Sequence, residues 1–192
     1  MRNKAIRNLL YSQISFFVAI VVCFIILPDI VHANDGLSYF ANHRTTVLPY
    51  SLGLFLSGLF IFRASQAIPT KTWSLNLIAN GLRAMVIFLP FVILTPIAFN
   101  LFLYWVHVIF TTVVFVMEFT VSIWMAMAWF NGWRTALLLV VQSVASAVSM
   151  LSVPSILNLQ TASQLTFEVA FGILLISSMA HLLHKQPAVT KK

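Results

Sequence analysis

The sequence predicts an all-α integral membrane protein, a bundle of six transmembrane helices with both termini in the cytoplasm. Its residues are 60% hydrophobic and only 8% charged, whereas a soluble domain carries about 25% charged residues. Six apolar runs each reach the ~20 residues that a helix needs to cross a membrane. The lysines and arginines cluster on one side of these six runs, as expected for the cytoplasmic side of a membrane protein.

Taken in order, the runs form a single domain over residues 1–192, with spans at about 9–27, 47–67, 73–99, 102–130, 133–153 and 165–183. They are long and continuous, which favours helices over the short alternating strands of a membrane β-barrel. Pro90 and Pro96 fall near the far end of the third span. The only long polar connection is residues 28–46, the outer loop. The other connections are short, so consecutive helices should pack as antiparallel neighbours.

The basic residues give the orientation. With six spans, Arg44 is the only lysine or arginine on the outer side. The side of the termini holds Arg2, Lys4, Arg7, Arg63, Lys71, Arg134, Lys185, Lys191 and Lys192. This asymmetry places both termini in the cytoplasm.

One alternative concerns the N-terminus. A basic start, an apolar stretch and the residues Val31-His32-Ala33 resemble a cleaved signal peptide, which would leave five spans. The apolar run is long for such a peptide, and Pro28 and Asp29 interrupt the approach to the cleavage site.

Composition also limits the function classes. The net charge is +7, but the basic residues are scattered between apolar segments, so we expect no nucleic-acid partner. The single cysteine, Cys23, allows no intramolecular disulfide. The sequence has no GxSxG motif, no glycine-rich phosphate loop and no lysine inside a span, so we predict no cofactor.

Two ionisable residues lie deep within consecutive spans. Arg83 and Glu118 each stand 12 residues from the predicted cytoplasmic boundary, which lies near Lys71 for the third span and near Phe130 for the fourth; at ~1.5 Å per residue this places both ~18 Å deep. Ionisable groups at that depth usually face the bundle interior. We therefore predict an Arg83–Glu118 ion pair, direct or bridged by water, with either a packing role or a role in proton handling or coupling.

Polar residues recur at helical spacing on three spans. His107, Thr111, Val114 and Glu118 share one face of the fourth span. Asn76, Asn80 and Arg83 form a line on the third, and Gln142, Ser146 and Ser149 form one on the fifth. The lines indicate either hydrogen bonds between helices or convergence on a hydrated cavity.

The outer end suggests a second cluster. His107 and Glu168 are predicted to be shallow, beneath an outer loop that carries Asp29, His32, Asp35, Ser38, His43 and Arg44. Histidines and carboxylates are ligands for Zn²⁺, which would activate water for hydrolysis. Without an HExxH motif or fixed loop geometry, we predict no metal site, and His107 with Glu168 remains the minor alternative.

The layout resembles the DRAM-like family and related uncharacterised six-helix membrane proteins. Asp35-Gly36-Leu37-Ser38 stands in the first outer loop, Gly53 and Gly58 lie in the next helix, and His107 opens the fourth. The loop departs from the family's Ser-Asp-x-Gly order, so no functional residue is carried over. The resemblance implies a membrane protein without a defined biochemical activity.

The leading interpretation is a non-enzymatic protein that binds a small molecule, lipid or partner helix through its polar interior. Candidate residues are Asn80, Arg83, His107, Glu118, Gln142 and Glu168, with His32, Asp35, His43 and Arg44 in the outer loop. The alternatives are a small-solute or proton-coupled transporter and an intramembrane metal-dependent hydrolase. Expected partners are membrane lipids, a small-molecule ligand or another membrane protein, including a second copy of the chain. The expected location is a bacterial inner (plasma) membrane.

Overall fold

The computed structural model describes residues 2–28, 36–70, 72–95, 101–129, 132–152 and 159–184. Within them are six α-helices and one 3-10 helix, and no strand. The α-helices are α1 (Arg2–Ile26), α2 (Val47–Ala67), α3 (Trp73–Leu94), α4 (Leu101–Ala128), α5 (Gly132–Ser152) and α6 (Gln160–His184). The 3-10 helix, Leu37–Asn42, connects α1 to α2 and is called the capping helix below.

All six α-helices are long and apolar enough to cross a membrane. The chain is therefore a polytopic membrane protein. α1 begins at Arg2 instead of Leu9, and α6 begins at Gln160 instead of Leu165. Polar residues at these ends still form helical hydrogen bonds, whereas the predicted bounds followed hydropathy alone. Pro90 lies inside α3, while Pro96 lies outside the described residues.

Helices adjacent in sequence pack closely in the pairs α1–α2, α3–α4 and α5–α6. In the first pair the approach is closest at Gly53 of α2, where an added Cβ would collide with the Cβ of Ala19 on α1. Small residues at a helix crossing allow such an approach within a membrane. Nearby, the hydroxyls of Ser12 and Ser57 are hydrogen-bonded at 2.8 Å across the same interface.

The capping helix closes one end of the bundle, which is called the capped end. Its residues Leu37 and Phe40 are buried in an apolar cluster with Cys23 of α1 and Tyr50 of α2. The Thr46 hydroxyl donates to the carbonyl of Phe40 at 2.8 Å, which fixes the connection into α2. The capping helix, which belongs to the predicted outer loop, is therefore packed against α1 and α2.

α5 is the most peripheral helix of the bundle. It packs mainly on α6 and makes few contacts with α4. Only four of its residues are buried: Thr135, Gln142, Ala145 and Ser152. This loose contact leaves space between α4 and α5, which forms the larger of the two cavities described next.

Candidate functional site

Two cavities lie within the bundle. The first, the central cavity, has a volume of about 70 Å³ and lies among α1, α2, α3, α4, α6 and the capping helix. The second, the interhelical crevice, has a volume of about 550 Å³ and lies among α4, α5, the start of α6 and the capping helix. The central cavity has room for a few water molecules, and the crevice falls in the size range of small-molecule sites.

The central cavity contains the two glutamates of the chain. Glu118 of α4 and Glu168 of α6 both line it, and their carboxyl groups lie within hydrogen-bonding reach of each other. Glu118 is only 6% exposed, and its Oε2 receives no hydrogen bond from another protein group. The cavity thus brings together two acidic side chains that the sequence had placed at different depths.

Neutral polar groups complete one part of this cavity. They are Gln13, Ser38, Tyr50, Ser57, Thr111 and Gln164. The remaining wall is apolar and includes Met85, Leu89 and Val92 of α3 and Phe171 of α6. None of the described residues that line the cavity is a lysine, an arginine or a histidine.

The interhelical crevice follows α4 from Tyr104 to Thr120. These seventeen residues of helix, sixteen steps of ~1.5 Å, extend over ~24 Å, so the crevice is elongated along the bundle. Ser146, Ser149 and Met150 of α5 form the facing wall. The described residues of its lining include no Asp, Glu, Lys or Arg.

A thin wall separates the two cavities. Ser38, Thr111, Phe115 and Gln164 line both of them. Gln164 also attaches the capping helix to α6, because its Oε1 accepts a hydrogen bond from the Leu37 amide at 2.7 Å. Gly36 allows this contact: its φ is +71°, and an added Cβ would lie 2.7 Å from the same Oε1 atom.

The direct Arg83–Glu118 ion pair that the sequence predicts is not formed. The Arg83 guanidinium instead donates to the Ser65 carbonyl and to Oδ1 of Asn80, both at 3.3 Å. Ser65 lies in the last turn of α2, so the long side chain reaches from the middle of α3 to the C-terminal end of α2. Such an extended cation is favoured by the carbonyl groups and the dipole of the helix end.

The polar line on α3 faces outward. Asn80 and Asn76 are exposed and are connected by a 3.5 Å hydrogen bond. Regular spacing places residues on one face but does not state which face is buried, and in α3 the buried positions are apolar ones such as Leu75, Leu82 and Met85. Asn80, predicted to be interior, is therefore a surface residue of the chain.

The other interior candidates are distributed over different places. His107 is buried and lines the crevice, with its Nδ1 3.4 Å from the Thr95 hydroxyl. Gln142 is fully buried in α5, lines neither cavity, and both of its amide atoms lack partners. His107 and Glu168 line different cavities, so the structure does not assemble the predicted shared outer pocket.

Of the four candidate residues predicted in the outer loop, the structure describes only two. His32 and Asp35 lie outside the described residues, as does Asp29. His43 is half-buried with its ring 4.4 Å from that of Tyr39, and Arg44 is exposed. Within the described segments, no three His, Cys, Asp or Glu side chains are grouped as a metal site would require.

Sequence reasoning missed Gln164, Gln13 and Tyr50. Gln164 precedes Glu168 by four residues, so both lie on one face of α6, and Gln160 continues the line toward the capped end. That spacing could have identified Gln164. Gln13 and Tyr50 have no comparable signal, because neither belongs to a line of polar residues that repeats at helical spacing with an ionisable residue.

Comparisons with known proteins give no relative for this chain. It matches no protein-family profile, no curated protein sequence and no solved structure. The assignment of function therefore depends on the two cavities.

Proposed function

We propose that this protein binds an uncharged amphiphile with a long apolar part, a membrane lipid or a lipid-like small molecule, in the interhelical crevice. The observation that carries the proposal is the crevice itself, whose ~550 Å³ lies between two helices that hardly touch. Closely packed bundles leave few voids larger than a water molecule. A cavity of this size has room for part of a lipid-like molecule.

The lining supports this class of ligand. Around the capped end the crevice carries Tyr39, Asn42, Tyr104, His107 and Gln160, which can hydrogen-bond a polar head group. Farther along α4 the wall becomes Phe115, Val116, Phe119 and Thr120, which suits an apolar chain. The absence of fixed charges in the described lining favours a neutral head group.

The orientation completes the proposal. The asymmetric lysines and arginines favour cytoplasmic termini. The capped end, with the polar part of the crevice, would then face the outer side of a bacterial inner membrane. A neutral amphiphile would lie with its head group toward that surface and its chain along α4.

A photoreactive long-chain alcohol tests the binding proposal in proteoliposomes. Ser146 lines the crevice, so Ser146→Phe should fill the space and abolish most cross-linking to α4 and α5. Ser143 is exposed one turn earlier on α5 and lines neither cavity, so Ser143→Phe is the matched control. Equal labelling of wild type and both variants would refute the proposal, as would labelling confined to residues outside the crevice.

The glutamate pair in the central cavity favours a second candidate function, proton-coupled transport of a small solute. Ionisable residues buried in membrane helices often belong to proton or substrate pathways. Proteoliposomes with an imposed pH gradient test this candidate by comparing proton flux in wild type and Glu118→Gln. Flux in the wild type that the substitution abolishes would support transport, and no flux in the wild type would exclude it.

A further inference from the structure

We propose that Glu118 and Glu168 form a proton-binding site in which the two carboxyl groups share a single exchangeable proton. The site lies in the central cavity and is distinct from the crevice assigned to the amphiphile. Its proton reaches the cavity through the wall at Thr111.

The geometry of the carboxyl groups gives the first argument. The carboxyl groups of Glu118 and Glu168 lie within hydrogen-bonding reach of each other in the central cavity. A carboxylate has only acceptor oxygens, so two carboxyl groups can form a hydrogen bond to each other only when one of them carries a proton. The pair therefore holds one proton and one negative charge, the arrangement that two adjacent acidic groups generally adopt.

Burial gives the second argument. Glu118, which lines the cavity, is only 6% exposed, and its Oε2 is buried without a hydrogen-bond partner. A buried negative charge requires a compensating positive charge. An unpartnered carboxyl oxygen is the position where a proton, or a water carrying one, would be received.

No fixed cation among the described residues provides that compensation. α1 contributes Gln13, α2 contributes Tyr50, and the capping helix contributes Ser38, all of them neutral. The α3 wall is apolar, and its Arg83 is directed to the Ser65 carbonyl. Cys23 is close to Tyr50 but adds no positive charge, and α5 does not line the cavity.

The composition of the wall favours a proton over a metal ion. Hard cations such as Ca²⁺ take six to eight oxygen ligands. Beyond the two carboxyl groups, the oxygens of the cavity belong to neutral side chains such as Gln13 and Tyr50, and no third His, Cys, Asp or Glu is grouped with the glutamates among the described residues. A shared proton needs only the two carboxyl oxygens already in contact.

Thr111 supplies the route between the cavities. Its side chain lines both the central cavity and the crevice, and its Oγ1 is buried without a partner. A hydroxyl can accept one proton while donating another. Thr111 is ~10.5 Å from Glu118 along α4, so in this proposal it passes a proton between water in the crevice and water in the central cavity that reaches the glutamate pair.

Infrared spectroscopy of the full chain in lipid tests the site. The sequence has only four acidic residues, Asp29, Asp35, Glu118 and Glu168, so the protonated-carboxyl band can be assigned by substitution. Wild type should show one such band that disappears as the pH is raised, and Glu118→Gln and Glu168→Gln should each change it. Asp35→Asn, the control, should leave it in place.

Two results would overturn the proposal. One is a wild-type spectrum without a protonated-carboxyl band from either glutamate at any pH at which the protein is folded. The other is a band that sodium or calcium ions remove at constant pH, which would identify a metal site. Chemical modification of the wild-type protein gives a separate test. Dicyclohexylcarbodiimide adds to protonated carboxyl groups in apolar surroundings, so it should modify Glu118 or Glu168. Failure to modify either residue would also count against the site.

The route has its own test. Thr111→Val should slow hydrogen–deuterium exchange of the glutamate proton at least severalfold, because valine keeps the shape and removes the hydroxyl. Thr112→Val is the matched control, since Thr112 lines the crevice only. Equal exchange rates in the two variants would exclude Thr111 as the relay.

Discussion

The hydrogen bond between Gln164 and the capping helix should determine how often the capped end opens. Gln164→Leu removes the acceptor of the Leu37 amide, whose 2.7 Å bond is buried. An unsatisfied buried donor costs about 1–3 kcal/mol. Because that bond exists only while the capping helix is docked, the free energy of opening should fall by a similar amount, and the open population should rise by roughly 5-fold to 100-fold or more.

Cys23 provides a natural reporter of this opening. It is the only cysteine of the chain, is fully buried, and lies in the apolar cluster beneath the capping helix with Leu37 and Phe40. A water-soluble maleimide should therefore react with Cys23 only when the capping helix leaves. The labelling rate in proteoliposomes, followed by mass spectrometry, should increase by the same factor as the open population when opening is faster than labelling.

Two variants make this measurement specific. Gln164→Glu retains an oxygen acceptor and should label much more slowly than Gln164→Leu. Gln160→Leu changes a glutamine one turn earlier on α6 that lines the crevice without holding Leu37, so its rate should remain close to that of wild type. A Gln164→Leu rate equal to wild type, or an equal increase in Gln160→Leu, would refute the reasoning.

Two further predictions concern helix packing and the polar residues of α3 and α4. Gly53→Ala should destabilise the protein by about 1–3 kcal/mol in unfolding experiments, because the new Cβ meets the Cβ of Ala19. Gly58→Ala is the control and should be near neutral, because its closest contact is the flexible end of Leu89 at 3.0 Å. Equal losses of stability in the two variants would contradict this prediction. In a double-mutant cycle, the effects of Arg83→Gln and Glu118→Gln on the free energy of unfolding should add within ~0.5 kcal/mol, because Arg83 is hydrogen-bonded to Ser65 and Asn80. A larger coupling energy would indicate that Arg83 and Glu118 interact after all.

The positions of the helices could be predicted from sequence because hydropathy acts over a whole span. About 20 consecutive apolar residues have few stable alternatives in lipid, where each backbone polar group must be satisfied within its own segment. All six helices of sufficient length occur where the apolar runs stand. The helix ends were less predictable, since polar residues such as Gln160 and Arg2 extend a helix without adding to its hydropathy.

The direction in which a polar line faces could not be predicted from its spacing. On α4, His107, Val114 and Glu118 are all buried, as an interior line should be. On α3, Asn76 and Asn80 have the same type of spacing and are exposed. The difference depends on which apolar residues of α3 fit against its neighbours, and that choice is made by the packing of several helices together.

Depth measured along one helix was also an insufficient guide to the partner of a buried charge. Arg83 and Glu118 had matching depths, but a long cationic side chain moves its charge several ångströms from its own Cα toward the membrane boundary. Glu168 was placed near the outer boundary because its span was taken to begin at Leu165, whereas α6 begins at Gln160. The carboxyl of Glu118 thus contacts the carboxyl of Glu168 instead of a guanidinium. A pair of like groups is stable in such a place only with a proton between them, which is why the infrared band of these two residues is the most informative measurement on this protein.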